Sequence, residues 1–303
     1  MNFGLDLNRR PLNEVVCKHG SSKLFLSAIV ISIIYVALNL LYSIFTTVAS
    51  FNTTIPFVDL SEYVDEEYYI ILIATSLIVV VNSILSFIQY GYLYSAYSFF
   101  RGRSTNGNAL KSFTKVFLAQ LIITIVELPI ISIGTIATMD YSYSYPGMKE
   151  AFIVIMAIIL IPIIAGVAVM SIFQYKGIKK SVDHAMAAYD NRNSGKLSIF
   201  VLVCTFIVLA CVGINIMSAL ITFAAMPHFG AYFVIPNLVN LIVRVLMIVS
   251  MIMFIMLMFR FKNDMEIARQ EWYIIEQQKA EIRAREYAAK QAQASNSFDN
   301  TQI

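Results

Sequence analysis

The chain has 303 residues, 58% of them hydrophobic and 14% charged, with a mean hydropathy of +0.71. That balance excludes a soluble globular protein and predicts an all-α, polytopic membrane protein. The net charge of +3 is too small to suggest nucleic-acid binding, and Cys17, Cys204 and Cys211 form no CxxC pair, so neither zinc nor a disulfide framework is expected.

Residues 1–22 are an N-terminal segment. Leu12, Val15 and Val16 fall at i, i+3 and i+4 there, which predicts a short helix lying in the plane of the anionic inner leaflet. The next apolar run, 24–49, exceeds the ~7–15 residue core of a signal peptide and lacks a small-x-small cleavage site. It is the first span. Further apolar runs at 70–97, 113–137, 151–173, 198–225 and 232–260 are each long enough to cross a bilayer, giving six spans within a transmembrane domain of residues 23–261.

The basic residues sort onto one side of these spans. Four precede the first span, four follow the second, five follow the fourth and seven follow the sixth, which is 20 of the 22 lysines and arginines. Only Lys149 and Arg244 stand apart. The positive-inside rule then places both termini in the cytoplasm of a cell with a plasma membrane.

The opposite connections fit that placement. Asp59, Glu62, Asp65, Glu66 and Glu67 make an acidic loop without the glycine-bearing spacing of a calcium site, so a solvated cap is expected. Tyr141, Tyr143 and Tyr145 precede a Pro146-Gly147 turn, and Met226-Pro227-His228 makes a short one. These tyrosines, with Tyr90, Tyr92, Tyr94 and Tyr97, read as interfacial belts. Between the fourth and fifth spans, 176–189 has helical character and stops at the breaker cluster 190–195. Gly195-Lys196 lacks the rest of a phosphate loop. The sequon Asn52-Thr53-Thr54 carries meaning only in a eukaryotic host.

Gly91 is followed ten and eleven residues on by Arg101-Gly102 through an aromatic-rich helix end, and a polar turn then leads to Phe113 and the third span. This arrangement, with a short basic helix ending near Gly20, resembles a family of bacterial six-span membrane proteins classed only as a domain of unknown function. The resemblance covers about the first 40% of the chain. It implies a bacterial cytoplasmic membrane and brings no catalytic residues.

Glu127 and Arg244 lie near the middle of their spans, where a charge costs roughly 2.5–3.5 kcal/mol. Each belongs to a polar stripe at helical spacing, Gln120, Thr124 and Glu127 on one span and Asn237, Asn240 and Arg244 on another; Asn82, Ser86 and Gln89 repeat the pattern on a third. Two readings fit. The acid and base can be a structural ion pair within a hydrogen-bonded core, or they can line a proton or solute path. Pro129 and Pro162 free carbonyls in their helices and suit either reading. The methionines from Met247 to Met258 spread round their helix, and adaptable packing explains them better than a copper path. Cys204 and Cys211 share a helix face with small residues and suit close helix contact.

After the last span, 262–293 mixes both charge signs with Ala268, Trp272, Ile275, Ile282 and Ala289 at heptad-like spacing, while Lys279 and Glu286 interrupt the seam. A helix is expected, either solvated or pairing through Asn263 to Ala292 with a protein partner or a second copy; 294–303 is expected to be disordered. No hydrolase, zincin, Walker or dinucleotide pattern occurs, and His19, His184 and His228 lie apart. The expectation is a non-enzymatic, cofactor-free membrane protein in an envelope or transport assembly, with a small transporter built on Glu127 and Arg244 as the alternative.

Overall fold

The computed structural model describes residues 6–51, 66–138, 148–194, 199–225 and 231–299, among which there are seven helices and no strand. They are α1 (Pro11–Gly20), α2 (Lys23–Phe51), α3 (Glu66–Phe100), α4 (Ala109–Thr138), α5 (Met148–Tyr189), α6 (Ile199–Ala225) and α7 (Ala231–Asp299). The acidic residues Asp59, Glu62 and Asp65, the 141–145 tyrosines, Gly195-Lys196, the turn at His228 and the 52–54 sequon lie outside the described residues.

Local chemistry explains the helix ends. Pro11 opens α1, where its missing N–H costs nothing, and the Ser22 hydroxyl caps α2 by accepting the Phe25 N–H at 3.1 Å. Beyond α3, Gly102 takes a left-handed φ of 69°, and the Arg103 N–H reaches back to the Ser98 carbonyl at 2.9 Å. Asn191 closes α5 in the same way, with φ of 57° and an Arg192 N–H to Ala187 carbonyl bond of 2.8 Å. Both are Schellman stops, satisfying carbonyls the helix end would orphan.

Five helices, α2, α3, α4, α5 and α7, are long and apolar enough to cross a membrane. The fifth expected span coincides with α6, whose described apolar stretch, Thr205–Ile214, is shorter. The long helices close a ring: α2 packs on α3, α3 on α4, α4 on α5, α5 on α6, α6 on α7, and α7 returns to α2. Leu41, Ile158, Ile161 and Ile214 stand exposed on them, as a surface in contact with hydrocarbon requires.

Two helices overrun such a layer. At ~1.5 Å per residue, α5 with 42 residues is about 63 Å long and α7 with 69 is about 100 Å, against a hydrocarbon core of ~30 Å. α5 joins the expected span 151–173 to the following helical stretch without a break, and Pro129 and Pro162 are both absorbed within continuous helices. α7 is helical as far as Asp299, so the segment expected to be disordered from 294 begins as helix.

The overrunning parts meet α1, which lies against α3, α5 and α7. Leu12 and Val16 are 1% and 3% exposed, covered by Ala188, Met265 and Ala268, with Phe100, Phe261 and Trp272 around them. The apolar face expected to lie on lipid is therefore turned onto protein. Gly20 makes that approach possible: a Cβ there would sit 2.3 Å from the Phe100 ring. A second cluster, Phe25, Ile29, Leu93 and Tyr97, locks α2 to α3 with Phe254 of α7 beside it. Beside this cluster Ala28 and Ser32 are fully buried, and Ser32 and Ser250 share a short hydroxyl contact between α2 and α7. Small residues there let the backbones close up.

Candidate functional site

Antiparallel neighbours α3 and α4 bring two of the three polar stripes face to face. The Gln120 side-chain amide donates to the Ser86 hydroxyl at 2.7 Å, and the Asn82 amide donates to Glu127 Oε2 at 3.1 Å. The Ser86 and Thr124 hydroxyls donate back to the carbonyls of Asn82 and Gln120 on their own helices, and Ser86 still accepts from Gln120 across the gap. Asn82 Oδ1 is buried and accepts no hydrogen bond. The seam therefore holds one carboxyl against a neutral amide that still has an acceptor to satisfy.

The third stripe does not join them. Arg244 Nε donates to Asn240 Oδ1 at 3.0 Å on its own helix, one turn away. Asn237 lies on α7 as well, with a side chain outside the described residues. Glu127 and Arg244 do not form the ion pair that their depth allows, because α2 and α3 intervene between α4 and α7 in the ring. Depth along a span was readable from the chain; neighbourhood around the ring was not.

A different polar arrangement, which the sequence did not flag, fastens α1. Asp264 on α7 receives the Lys18 ammonium at 2.7 Å and the His19 ring at 2.9 Å. The Lys18 bond, then that of His19, holds the Asp264 carboxyl below its ordinary value. Arg9 reaches both Glu14 and Glu271, at 2.9 and 3.1 Å. The Asn13 amide donates to the Tyr189 carbonyl, and Trp272 Nε1 donates to the Asn191 carbonyl at 2.9 Å. Asn193 extends the same loop to the Tyr273 hydroxyl at 2.8 Å.

Around this clamp the loop after α5 folds back on its own helix. His184 is 4% exposed and its Nδ1 meets the Ser194 hydroxyl, while Nε2 is buried with no partner. Burial pushes the His184 imidazole below its usual value, and the positive fields of Arg269 and Lys180 push it the same way. Beyond the clamp α7 changes character: 281–291 are exposed all round, although Ala268 and Ile275 are buried further back.

Fold and site together fit one class, an all-helical protein with several membrane-length helices and a packed clamp of α1 on α7. No protein-family model, no characterised protein and no solved structure matches the chain.

Proposed function

We propose that the chain is a non-enzymatic integral membrane protein that holds α7 out as a docking arm for a protein partner, as part of an envelope or transport assembly. Six spans with both termini in the cytoplasm suit this reading, supported by the 20 basic residues gathered on one side and by the likeness of residues 91–113 to a bacterial six-span family. The observation that carries it is the contrast along one helix. α7 is gripped by α1 from Asp264 to Trp272, and its exposed continuation past Lys279 packs against nothing described. Most of a helix's stability in a protein comes from tertiary packing, so the grip at its base anchors this continuation.

The test is crosslinking in native membranes, comparing the full chain with one ending after Lys279, which keeps every clamp residue. A single partner recovered near one-to-one, with crosslinks mapping to Lys290 and lost on truncation, is the expected result. Identical crosslinks from both chains would remove the arm from the account.

A second reading is favoured by the α3–α4 seam, where Glu127 sits opposite an amide and not a cation. There the chain is a small-solute or proton-coupled transporter, in which Glu127 exchanges a proton beside Asn82 and Arg244 acts at a separate position. Proteoliposomes carrying Glu127→Gln would then lose proton flux while still inserting correctly. Absence of flux in the unsubstituted protein would dispose of this reading.

A further inference from the structure

One face of α5 changes chemistry where the helix leaves the apolar layer. At 100° per residue, Val169, Ile172, Phe173, Lys176, Lys179, Lys180, Asp183 and His184 all fall within an arc of about 140°. Val169, Ile172 and Phe173 are 52%, 49% and 49% exposed, an apolar strip on the membrane side. Immediately beyond them is a cavity of about 260 Å³, bounded by Lys176, Lys179, Lys180, Asp183, His184 and Ser194. Three lysines against one aspartate give it a positive field, and none of the three makes an ion pair. Arg269 adds to that field from α7, close enough to act on His184. The floor is built and not incidental: His184 is buried and its Nδ1 is fixed by the Ser194 hydroxyl, while the lysines outnumber the single aspartate around it.

We infer that this cavity binds a phosphate-bearing anion, and that its source is the headgroup of an anionic phospholipid. The lysines take the phosphate while an acyl chain lies along Val169, Ile172 and Phe173. Free phosphate would use the basic end alone and leave that strip without a role. Basic recesses beside membrane helices take lipid phosphates in this way, each lysine near the surface strengthening binding about fivefold.

The test uses the full chain, purified in non-ionic detergent and stripped of lipid, with unfolding temperature followed as phosphatidylglycerol, phosphatidylcholine or inorganic phosphate is added. Phosphatidylglycerol is expected to raise the unfolding temperature and phosphatidylcholine to leave it unchanged. The pair Lys176→Gln/Lys180→Gln should weaken the phosphatidylglycerol response roughly ten- to thirtyfold in concentration. Lys176→Arg/Lys180→Arg should retain it, and so should Arg283→Gln/Arg285→Gln, the same charge change on the exposed arm. Equal responses to the two lipids, or an undiminished response in the glutamine pair, would overturn the site. A full response to inorganic phosphate with none added by the lipid would overturn the lipid source.

Discussion

Glu127 and Asp264 are both carboxyl groups tying helices together, and they do it by opposite means. Glu127 faces a single neutral amide on the adjoining helix, at 3.1 Å. Asp264 faces an ammonium and an imidazole from a segment 245 residues away, at 2.7 and 2.9 Å. In a medium without water every charge must find its satisfaction close by, so the seam uses short neutral donors from the next helix. In water an ion pair alone is worth ~0–1 kcal/mol, so the latch at Asp264 is effective only because Leu12, Val16, Met265 and Ala268 are buried beneath it.

That comparison can be broken most directly at the apolar floor of the clamp. Leu12→Ala should cost about 2–4 kcal/mol of clamp stability, seen as faster proteolysis between α1 and α2 while the bundle stays folded. Unchanged cleavage would mean that the ion pairs alone carry α1. Gly20→Ala is expected next, at about 1–3 kcal/mol in the same assay, since its Cβ would force the Phe100 ring aside. In the seam, Asn82→Ala should cost about 1–2 kcal/mol in thermal unfolding by leaving Glu127 without its donor, whereas Glu127→Gln, which keeps an acceptor oxygen, should cost less. The reverse order would show that charge at Glu127 matters more than its hydrogen bond.

The smallest effects sharpen the comparison through pH. His184 has a lowered folded value, so the unfolded chain binds more protons below about 6.5 and the clamp should loosen as pH falls past that point. His184→Gln should flatten that part of the profile. Asp264 is also lowered, but from about 3.9, so its contribution is complete above that value and is lost only as pH drops further toward its folded value. Proteolysis of α1 followed from pH 7 to 4 should therefore report His184 and not Asp264. A profile indifferent to His184→Gln would separate the loop after α5 from the clamp.

Much of this was legible in the chain, for identifiable reasons. Apolar run lengths located the long helices, and the breaker cluster at 190–195 anticipated the left-handed Asn191. The stripes Asn82/Ser86 and Gln120/Glu127 were visible because a helix face repeats every three to four residues. Which stripe met which was not, since spacing within one helix carries nothing about its neighbours; Glu127 found Asn82 and Arg244 found Asn240. The apolar set Leu12, Val15 and Val16 was equally ambiguous, because lipid and protein satisfy such a face alike. In α7 the heptad-like residues Ala268 and Ile275 are buried, and Ala268 and Trp272 pack against Leu12 and Val16 of α1 and Ala188 of α5. At Ile282 the seam runs out onto an exposed surface.

α7 crosses from the ring to its tip without a turn, a loop or a glycine. Mechanically it is a lever whose short end is embedded among α2 and α6 and whose fulcrum is the clamp. A tilt of about 10° at the clamp, carried along the roughly 50 Å from Asp264 to the tip at Asp299, would sweep that tip by about 9 Å. A small shift in bilayer thickness would thus reach the tip of α7 as a displacement about the width of a helix.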